Sequence, residues 1–488
     1  MYNLLNGLSI VEVSSFVASP TAGLYCAQMG AEVIRVDHKA GGLDYNRYML
    51  TREGRSLSWE NLNRAKKSVA LDLQSGEGRE LLVELAASVG QCITNLPEQS
   101  FLSHAAMQAK RADMISLRVM GWHDGRQAMD FTVNAAAGYP LMCGPEDWDP
   151  ATAPPVNQVL PAWDFITGAY GAFAMLAALR HRDRTGEGNE VRLPLGDVAI
   201  GTMANAGLMA EVLYRGSDRE RLGNAIWGAF GRDFRAKDGV RFMVAALTPK
   251  QWTGLVKAFG LEAGIAALEA ECGVRFADGD TPRFQHRAAL FALFQSAADG
   301  MDYAELEARM AAEGCTFERY RTAYEAANDP VLVAGNPLFG PAPANPSGFD
   351  YPATRSFANL PGRAAGDPAP ADFGRDDGVI GHAHIAVCHP GQPPDCAAAG
   401  HVGAVFTACG RVVASDSDFV HVPFQRLDGP GGPDQCTMPC NSCQTMPPRS
   451  TRASGPRCKP PMRRANRLAR PPPLALAPKM PASPARPR

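Results

Sequence analysis

Short apolar runs alternate with small-residue or amphipathic segments through roughly the first 200 residues of the chain. The apolar runs have the length of strands, and the segments between them have the length of helices. This alternation predicts an α/β fold with a doubly wound, Rossmann-like parallel sheet, whose ligand site lies at the carboxyl ends of the strands. The predicted strands cover residues 8–13, 31–37, 67–73, 91–97 and 112–121, and the predicted helices cover 20–30 and 75–90.

The pattern changes after about residue 215. Residues 223–234, GNAIWGAFGRDF, predict a glycine- and aromatic-rich loop, which leads into a strand at 240–248 and amphipathic helices such as 303–314. We expect a smaller α+β domain over 215–325, after the first part of a large α/β domain over 1–205. Proline and glycine punctuate the segment that follows, and residues 330–370 are predicted to return to the large domain.

The composition changes again in the tail, residues 371–488. No Glu follows Glu325, whereas Pro, Cys, His and Arg become frequent, so we expect the tail to be disordered. A shifted reading frame in GC-rich DNA is the favoured explanation of this composition. A zinc site at Cys436, Cys440 and Cys443 lacks a matching second pair of ligands. A nucleic-acid-binding tail would lack interleaved aromatic residues.

Composition and charge exclude several classes of protein. A formal net charge of -2 with 20% charged residues gives no reason to expect nucleic acid as a partner. The amino-terminal sequence lacks the pattern of a signal peptide, and we expect no apolar run to approach the roughly 20 residues that span a bilayer. We therefore expect a cytoplasmic protein without a membrane partner. The scattered cysteines before residue 330 fit reduced thiols.

Asp164 is the first candidate for chemistry. The pattern over 165–179 predicts a helix with close-packing glycines, so Asp164 is placed at a helix N-terminus. There its carboxylate could accept backbone N–H bonds and stay ionised when shielded from water. An ionised carboxylate suits covalent acyl transfer. On spacing alone the same position fits a simple helix cap better, since Asp is among the commonest capping residues, and local physics does not decide between the two roles.

The surrounding motifs resemble the family III coenzyme A transferases, the CaiB/BaiF family. Asp164 opens a D-x-x-x-G motif, which is followed by R-x-x-T-G-x-G and a strand ending in Asp, and the similarity runs collinearly from about residue 6 to about 365. The resemblance implies that Asp164 is the nucleophile and that coenzyme A (CoA) enters as part of an acyl-CoA substrate. It implies no tightly bound cofactor and no metal. It further implies an interlocked homodimer whose large domain uses both ends of the chain.

The same resemblance implies the residues that contact CoA. His38 stands where the family usually has an arginine for the nucleotide phosphate, and Lys39 or Arg47 could replace that charge. Ser103 or His104 stands at a second arginine position. Backbone groups near Gly228 and Gly231 are candidates to hold oxyanions, although a turn role fits them equally well. The predicted contact residues are Val17, Ala18, His38, Lys39, Leu71, Asn95 and Leu96.

Two other enzyme classes share parts of this pattern. A nicotinamide dehydrogenase would use Asp37 for a ribose, but the first turn, SSFVASP, has no G-x-G-x-x-G fingerprint. A racemase of the same fold would need an acid/base pair where Phe131 and Thr132 stand. Residues 129–145, 155–164 and 223–234 are instead similar to family members that act on a methyl-branched unsaturated dicarboxylic acid.

Overall fold

The computed structural model describes residues 1–370, except residues 48, 150, 342–344 and 368, and also residue 374. Apart from Gly374, the tail lies outside the described residues, and so do the predictions of disorder, of a cysteine zinc site and of a shifted reading frame. Within the described part of the chain, no group of His, Cys, Asp and Glu side chains could hold a metal ion.

Six parallel strands form the main sheet in the order β3-β2-β1-β4-β5-β6. This is the strand order of a doubly wound sheet, so the prediction of a Rossmann-like parallel sheet is confirmed. Strands β1, β2 and β4 are buried along most of their length, as expected where helices cover both faces. The strands are β1 (Ser9–Val13), β2 (Glu32–His38), β3 (Lys67–Leu71), β4 (Gln91–Thr94), β5 (Ile115–Met120) and β6 (Asn189–Pro194).

Helices connect these strands and cover the sheet. Local signals set several helix ends: the Ser75 hydroxyl accepts the Gly78 N–H at 2.9 Å before α3, and Gly90 ends that helix with φ 88°. The helices are α1 (Ala18–Gln28), α2 (Leu57–Leu62), α3 (Gly76–Val89), α4 (His104–Gln108), α5 (Asp130–Ala137), α6 (Ala162–Thr185), α7 (Leu195–Asn205) and α8 (Leu208–Arg215).

Helix α6 is longer than its hydrophobic pattern predicted. It begins at Ala162 rather than at Phe165, and its polar last turn continues to Thr185, where Gly186 stops it with φ 76°. By length and hydropathy alone this helix of 24 residues would also qualify as a membrane span, contrary to the expectation that no apolar run is long enough. It contacts α1, α5, α7, β5 and β6, as the core helix of a globular protein does.

Helices α1 and α6 approach closely because glycines line their contact. A Cβ atom at Gly168 would lie 2.5 Å from Thr21 Cβ and 2.7 Å from the Ala18 carbonyl oxygen. A Cβ at Gly171 would lie 3.4 Å from Ala22 Cβ, which is also on α1. The first turns of α6 therefore lie directly against the start of α1.

A second sheet lies in the later part of the described chain, with three antiparallel strands in the order β7-β8-β9. Buried phenylalanines such as Phe230, Phe234 and Phe294 fill its core. The loop predicted over 223–234 is therefore partly wrong, because Phe230 and Phe234 share the core face of a strand. The elements are β7 (Phe230–Arg235), β8 (Arg241–Ala246), α9 (Pro249–Ala258), α10 (Glu262–Cys272), α11 (Asp280–Gln285), α12 (Arg287–Ala298), α13 (Tyr303–Ala312), β9 (Thr316–Arg319) and α14 (Ala323–Ala327).

The last described residues pack on the amino-terminal part of the chain. The Tyr2 hydroxyl donates to the Ala358 carbonyl oxygen at 2.9 Å and accepts the Leu360 N–H at 3.0 Å. The rings of Tyr25 and Phe357 meet edge to face at 5.5 Å. The predicted domain boundaries stay predictions. The remaining elements are the short turns Tyr139–Leu141, Phe276–Asp278 and Pro330–Ala334 and the strands β10 (Phe339–Gly340) and β11 (Ala353–Thr354).

We predict that Gly168→Ala destabilises the protein by about 1–3 kcal/mol, because the added methyl group collides with α1. Gly201→Ala is the matched control, because Gly201 is also inside a helix but has no atom within 4 Å of an added Cβ. That control should be neutral or stabilising by up to about 1 kcal/mol. Urea unfolding of both variants measures the difference, and equal midpoints would contradict the close α1–α6 contact.

Candidate active site

The carboxyl edge of the main sheet brings the predicted CoA-contact residues together. Val17 and Ala18 follow β1, His38 ends β2 and Lys39 follows it, Leu71 ends β3, and Asn95 and Leu96 follow β4. Parallel pairing places His38 opposite Leu71, and the Lys39 N–H donates to the Leu71 carbonyl oxygen at 2.9 Å. All of these residues therefore share one edge, and their roles in binding stay predictions.

The β1–α1 corner, residues 14–17, is held from two sides. The side-chain amide of Asn95 forms two hydrogen bonds with this corner. It accepts the Ser15 N–H at 3.2 Å and donates to the Ser15 carbonyl oxygen at 2.9 Å. The Phe16 N–H donates to Asp44 Oδ2 at 2.8 Å. A contact between CoA and the side chain of Asn95 would therefore compete with these bonds.

The cations predicted to hold a phosphate differ in their surroundings. Lys39 Nζ lies 2.5 Å from Asp72 Oδ2, and this hydrogen bond lowers the pKa of the Asp72 carboxyl. His38 Nδ1 accepts the Ala40 N–H at 3.1 Å, while its Nε2 lies 3.7 Å from Asp72 Oδ1. Lys39 and His38 therefore lie next to the same carboxylate, and Asp72 offsets the charge of Lys39.

Among the side chains predicted to hold a CoA phosphate, Arg47 is the one whose charge is not offset by a neighbouring carboxylate of the described residues. Its guanidinium lies over the Phe16 ring, 4.9 Å from the ring centre, and it meets no carboxylate among the described residues. Ser103 instead caps α4 by accepting the Ala106 N–H at 3.2 Å. His104 Nδ1 lies 2.7 Å from Ser116 Oγ, so both residues of that pair have partners within the protein.

Asp164 lies near the start of α6 but does not cap it. The N-cap is Pro161, and Asp164 is the third residue of the helix. Its half-buried carboxylate accepts no hydrogen bond from any residue that the structure describes. The prediction that backbone N–H groups stabilise this carboxylate is therefore wrong, because Pro161 has no N–H and the N–H groups of Trp163 and Asp164 are bound by Asp130 instead.

The cap comes from Asp130, which the sequence analysis did not identify. Asp130 is the first residue of α5 and is buried, and its Oδ2 accepts the Asp164 N–H at 3.1 Å. It also accepts the backbone N–H of Trp163. Its other oxygen, Oδ1, is buried and has no hydrogen-bond partner. The sequence carried no local signal for this role, because Asp130 begins one helix and caps another that is distant in sequence.

The charge of Asp130 acts on the carboxyl group of Asp164. Burial and, less strongly, the negative charge of Asp130 raise the pKa of Asp164 to about 7. Burial also raises the pKa of Asp130, while the hydrogen bonds from Asp164 and Trp163 lower it. The prediction that Asp164 is held firmly ionised is corrected accordingly: its carboxylate is a destabilised anion near neutral pH.

Helix α5 also anchors the residue before Asp164. The Trp163 indole Nε1–H donates to Asn134 Oδ1 at 3.1 Å, and Asn134 Nδ2 donates to Asn157 Oδ1 at 2.7 Å. The Tyr139 ring meets the Trp163 ring edge to face at 6.4 Å. Asp130 and Asn134, one turn apart on α5, thus fix both the backbone and the neighbouring side chain of the nucleophile candidate.

Other predicted positions have structural roles. The Thr132 hydroxyl exchanges hydrogen bonds with the Met129 backbone, and Phe131 is exposed, so neither supplies an acid or base. Gly228 adopts φ 76°, and the Ile226 N–H donates to the Gly231 carbonyl oxygen at 2.8 Å, which closes a turn before β7. The turn role of these glycines is therefore observed, and an oxyanion role stays a prediction.

The fold and the site define an α/β enzyme in which a carboxyl group near a helix start lies at the carboxyl edge of a doubly wound sheet. The sequence pattern of CoA-transferase family III matches residues 5–371, and the chain belongs to this family. It is therefore an enzyme of the transferase or isomerase type, and enzymes of this family use CoA thioesters as substrates.

Individual proteins of known name are similar to much of the chain. The chain is 42% identical over 345 residues to a 2-methylfumaryl-CoA isomerase of Chloroflexus aurantiacus, with 70% of this chain and 83% of that protein covered. It is 26% identical over 347 residues to a succinyl-CoA–D-citramalate CoA-transferase of the same organism, with 69% and 83% covered. A CaiB/BaiF family structure from Brucella suis shares the fold with a TM-score of 0.63 and 23% identity, covering 80% of this chain and all of that one.

We predict that kcat/KM rises with pH through an apparent pKa near 7, because the free enzyme must ionise Asp164 before it can attack. Asp130→Asn should move this rise to lower pH, because it removes the neighbouring negative charge and keeps an oxygen that can accept the backbone N–H groups. Initial rates measured from pH 5 to about 9 test this. An unchanged profile in Asp130→Asn would contradict the coupling of the two groups.

We predict that the stability of the folded protein falls over the pH range in which its activity rises. The folded-state pKa of Asp164 lies above its ordinary value of 3.8, so ionising it costs stability, which is lost as pH rises from about 4 through about 7. Asp164→Asn cannot ionise and so avoids this loss. The unfolding midpoint of the variant, relative to that of the wild type, should therefore increase as pH rises. A constant difference at all pH values would contradict the raised pKa.

Proposed function

We propose that the chain catalyses intramolecular CoA transfer between the C1 and C4 carboxyls of mesaconyl-CoA, converting 2-methylfumaryl-CoA to 3-methylfumaryl-CoA. The observation that carries this proposal is the 42% identity over 345 residues to a 2-methylfumaryl-CoA isomerase. The site geometry supports the covalent route, because Asp164 is a carboxyl group without hydrogen-bond partners in the described residues at the edge where CoA is expected.

The reaction begins when the Asp164 carboxylate attacks the thioester carbonyl. The C–S bond breaks, so a mixed anhydride forms and CoA leaves as a thiolate. The thiolate then attacks the aspartyl carbonyl, which gives an aspartyl-CoA thioester and releases the diacid as a carboxylate. The other carboxylate of the same diacid attacks the aspartyl thioester, and the same two steps in reverse yield the isomeric CoA ester and restore Asp164.

The environment of Asp164 supports its role as nucleophile. A carboxylate that is stabilised by several N–H groups or by a cation is a weaker nucleophile, because those bonds must be broken during attack. Asp164 has no such bonds among the described residues, and burial together with Asp130 raises its pKa to about 7. Asp130 fixes the backbone of Asp164 at the same time, which limits the conformations that the nucleophile must search.

A homodimer is part of the proposal, and exposed apolar residues support it. Tyr170 and Phe173 on α6 are 54% and 63% exposed in the single chain, and no residue of α8 is buried. Leu213 and Tyr214 on α8 are 80% and 94% exposed. Apolar faces of this kind are typical of subunit interfaces. We propose that an interlocked partner subunit covers them and completes the substrate pocket.

An intermolecular CoA-transferase that acts on another carboxylic acid is the second candidate. It is supported by the similarity to the succinyl-CoA–D-citramalate CoA-transferase. A protein named succinyl-CoA:mesaconate CoA-transferase from Haloarcula hispanica is also 25% identical over 301 residues, with 57% of this chain and 73% of that protein covered. Both candidate reactions use Asp164 as the nucleophile. They differ in whether the diacid leaves the pocket during transfer.

We predict that Asp164→Ala and Asp164→Asn abolish transfer and leave CoA binding nearly intact, because the covalent nucleophile is lost while Asp130 still caps α6. Borohydride added during turnover should reduce the aspartyl thioester and mark residue 164 in a peptide map of the wild type. Activity above a few per cent in either variant, with the fold checked by circular dichroism, would exclude this nucleophile.

Labelled free mesaconate separates the two candidate reactions. In intramolecular transfer the diacid stays in the pocket, so label added during turnover of synthetic mesaconyl-C1-CoA should not enter the C4 isomer. Chromatography of the CoA esters measures both the isomer and its label. Label incorporated as fast as the isomer forms would favour the intermolecular transferase and defeat the isomerase proposal.

A further inference from the structure

The β1–α1 corner adopts a backbone conformation that its sequence disfavours. Phe16 has φ 70°, and it is one of two non-glycine residues with positive φ in the described part of the chain. A side chain at such a φ places Cβ too close to the backbone, so the conformation needs external support. Val17 and Ala18, the residues expected to contact CoA, follow it directly.

Asp44 supplies that support. We infer that Asp44 is a positioning residue, which binds the Phe16 N–H so that the β1–α1 corner presents Val17 and Ala18 to CoA. The inference rests on the proposed CoA contact at this corner. The hydrogen bond is 2.8 Å long, and Asp44 lies in the loop 41–47, far from the corner in sequence. Asn95 holds Ser15, the preceding residue, from the other side.

The charges around Asp44 show that it is not needed to neutralise the core. Arg35 meets Glu12 at 3.0 Å, Asp37 at 2.9 Å and Asp44 at 3.5 Å, so the contact with Asp44 is the longest. Lys66 meets Glu12 at 2.8 Å. Without Asp44 these groups comprise two cations and two carboxylates, whereas Asp44 adds a buried negative charge in excess.

Burying that extra charge has a cost, and the bond to the corner offsets part of it. Burial raises the pKa of Asp44, whereas the charge of Arg35 and, less strongly, the hydrogen bond from Phe16 lower it. Gly42 allows the arrangement, because a Cβ there would lie 2.8 Å from Asp37 Oδ1 and 3.0 Å from Asp44 Oδ1. A carboxylate that is costly to bury and unnecessary for charge balance is expected to serve a geometric purpose.

Loop 41–47 also meets the Phe16 side chain, because Arg47 lies over its ring at 4.9 Å. Substitutions at position 16 can distinguish an effect that acts through the Phe16 ring from one that acts through the Phe16 backbone. If Asp44 acts through the backbone, glycine at position 16 should replace its effect, since glycine adopts positive φ without strain. Alanine removes the same ring but keeps Cβ, so it should not replace the effect.

The experiment measures the Kd of free CoA by calorimetry, together with KM and kcat, in Asp44→Ala alone and combined with Phe16→Gly or Phe16→Ala. Asp44→Ala should raise Kd and KM about tenfold and change kcat less than about threefold, because it shifts the population of the bound corner. Adding Phe16→Gly should restore Kd to within about threefold of the Phe16→Gly single variant, whereas adding Phe16→Ala should not.

Three results would overturn the inference: an unchanged Kd in Asp44→Ala, equal rescue by glycine and alanine, or rescue by neither. Thermal unfolding checks that the variants are folded. If Asp44→Ala does not fold, Asp44→Asn replaces it, because its amide oxygen keeps a weaker acceptor, and the same contrast between glycine and alanine applies. Free CoA carries no acyl group, so these affinities still decide the inference if the isomerase proposal fails.

Discussion

The hydrogen bonds at the start of helix α6 are the interaction on which the site depends. Pro161 offers no side-chain acceptor at the N-cap, so the first amide groups of α6 need a partner from another element. Asp130 provides it from α5 and binds the backbone of the nucleophile candidate. Because the cap is a separate residue, the helix start is fixed while the carboxylate of Asp164 remains free to react.

The carboxyl edge holds two kinds of carboxylate. Glu12, Asp37 and Asp44 all contact the buried Arg35, which makes them part of the support beneath the β1–α1 corner. Asp164 has no cation and no hydrogen-bond donor among the described residues, and its nearest charged influence is another carboxyl group. The paired groups give rigidity, whereas the unpaired group has the destabilised charge that a nucleophile needs.

The close contact between α1 and α6 joins these two parts of the edge. Gly168 lies one turn after Asp164, and an added Cβ there would collide with the Ala18 carbonyl oxygen and Thr21, so Asp164 and the β1–α1 corner are held at a fixed separation. A larger residue at position 168 would change that separation as well as the stability. The glycines that made α6 recognisable in the sequence therefore have a functional consequence through packing alone.

The sequence by itself determined the parallel sheet, most of its strands and the placement of Asp164 at a helix start, because apolar period, glycine and helix length are local properties. It also aligned seven predicted contact residues with strand ends. Only the tertiary structure decided that Asp130 is the cap, that Asn95 is bound to Ser15, and that Lys39 is offset by Asp72. These roles depend on residues that are distant in sequence. The desolvation that raises the pKa of Asp164 depends on all the residues packed around it, and no local sequence pattern encodes that packing.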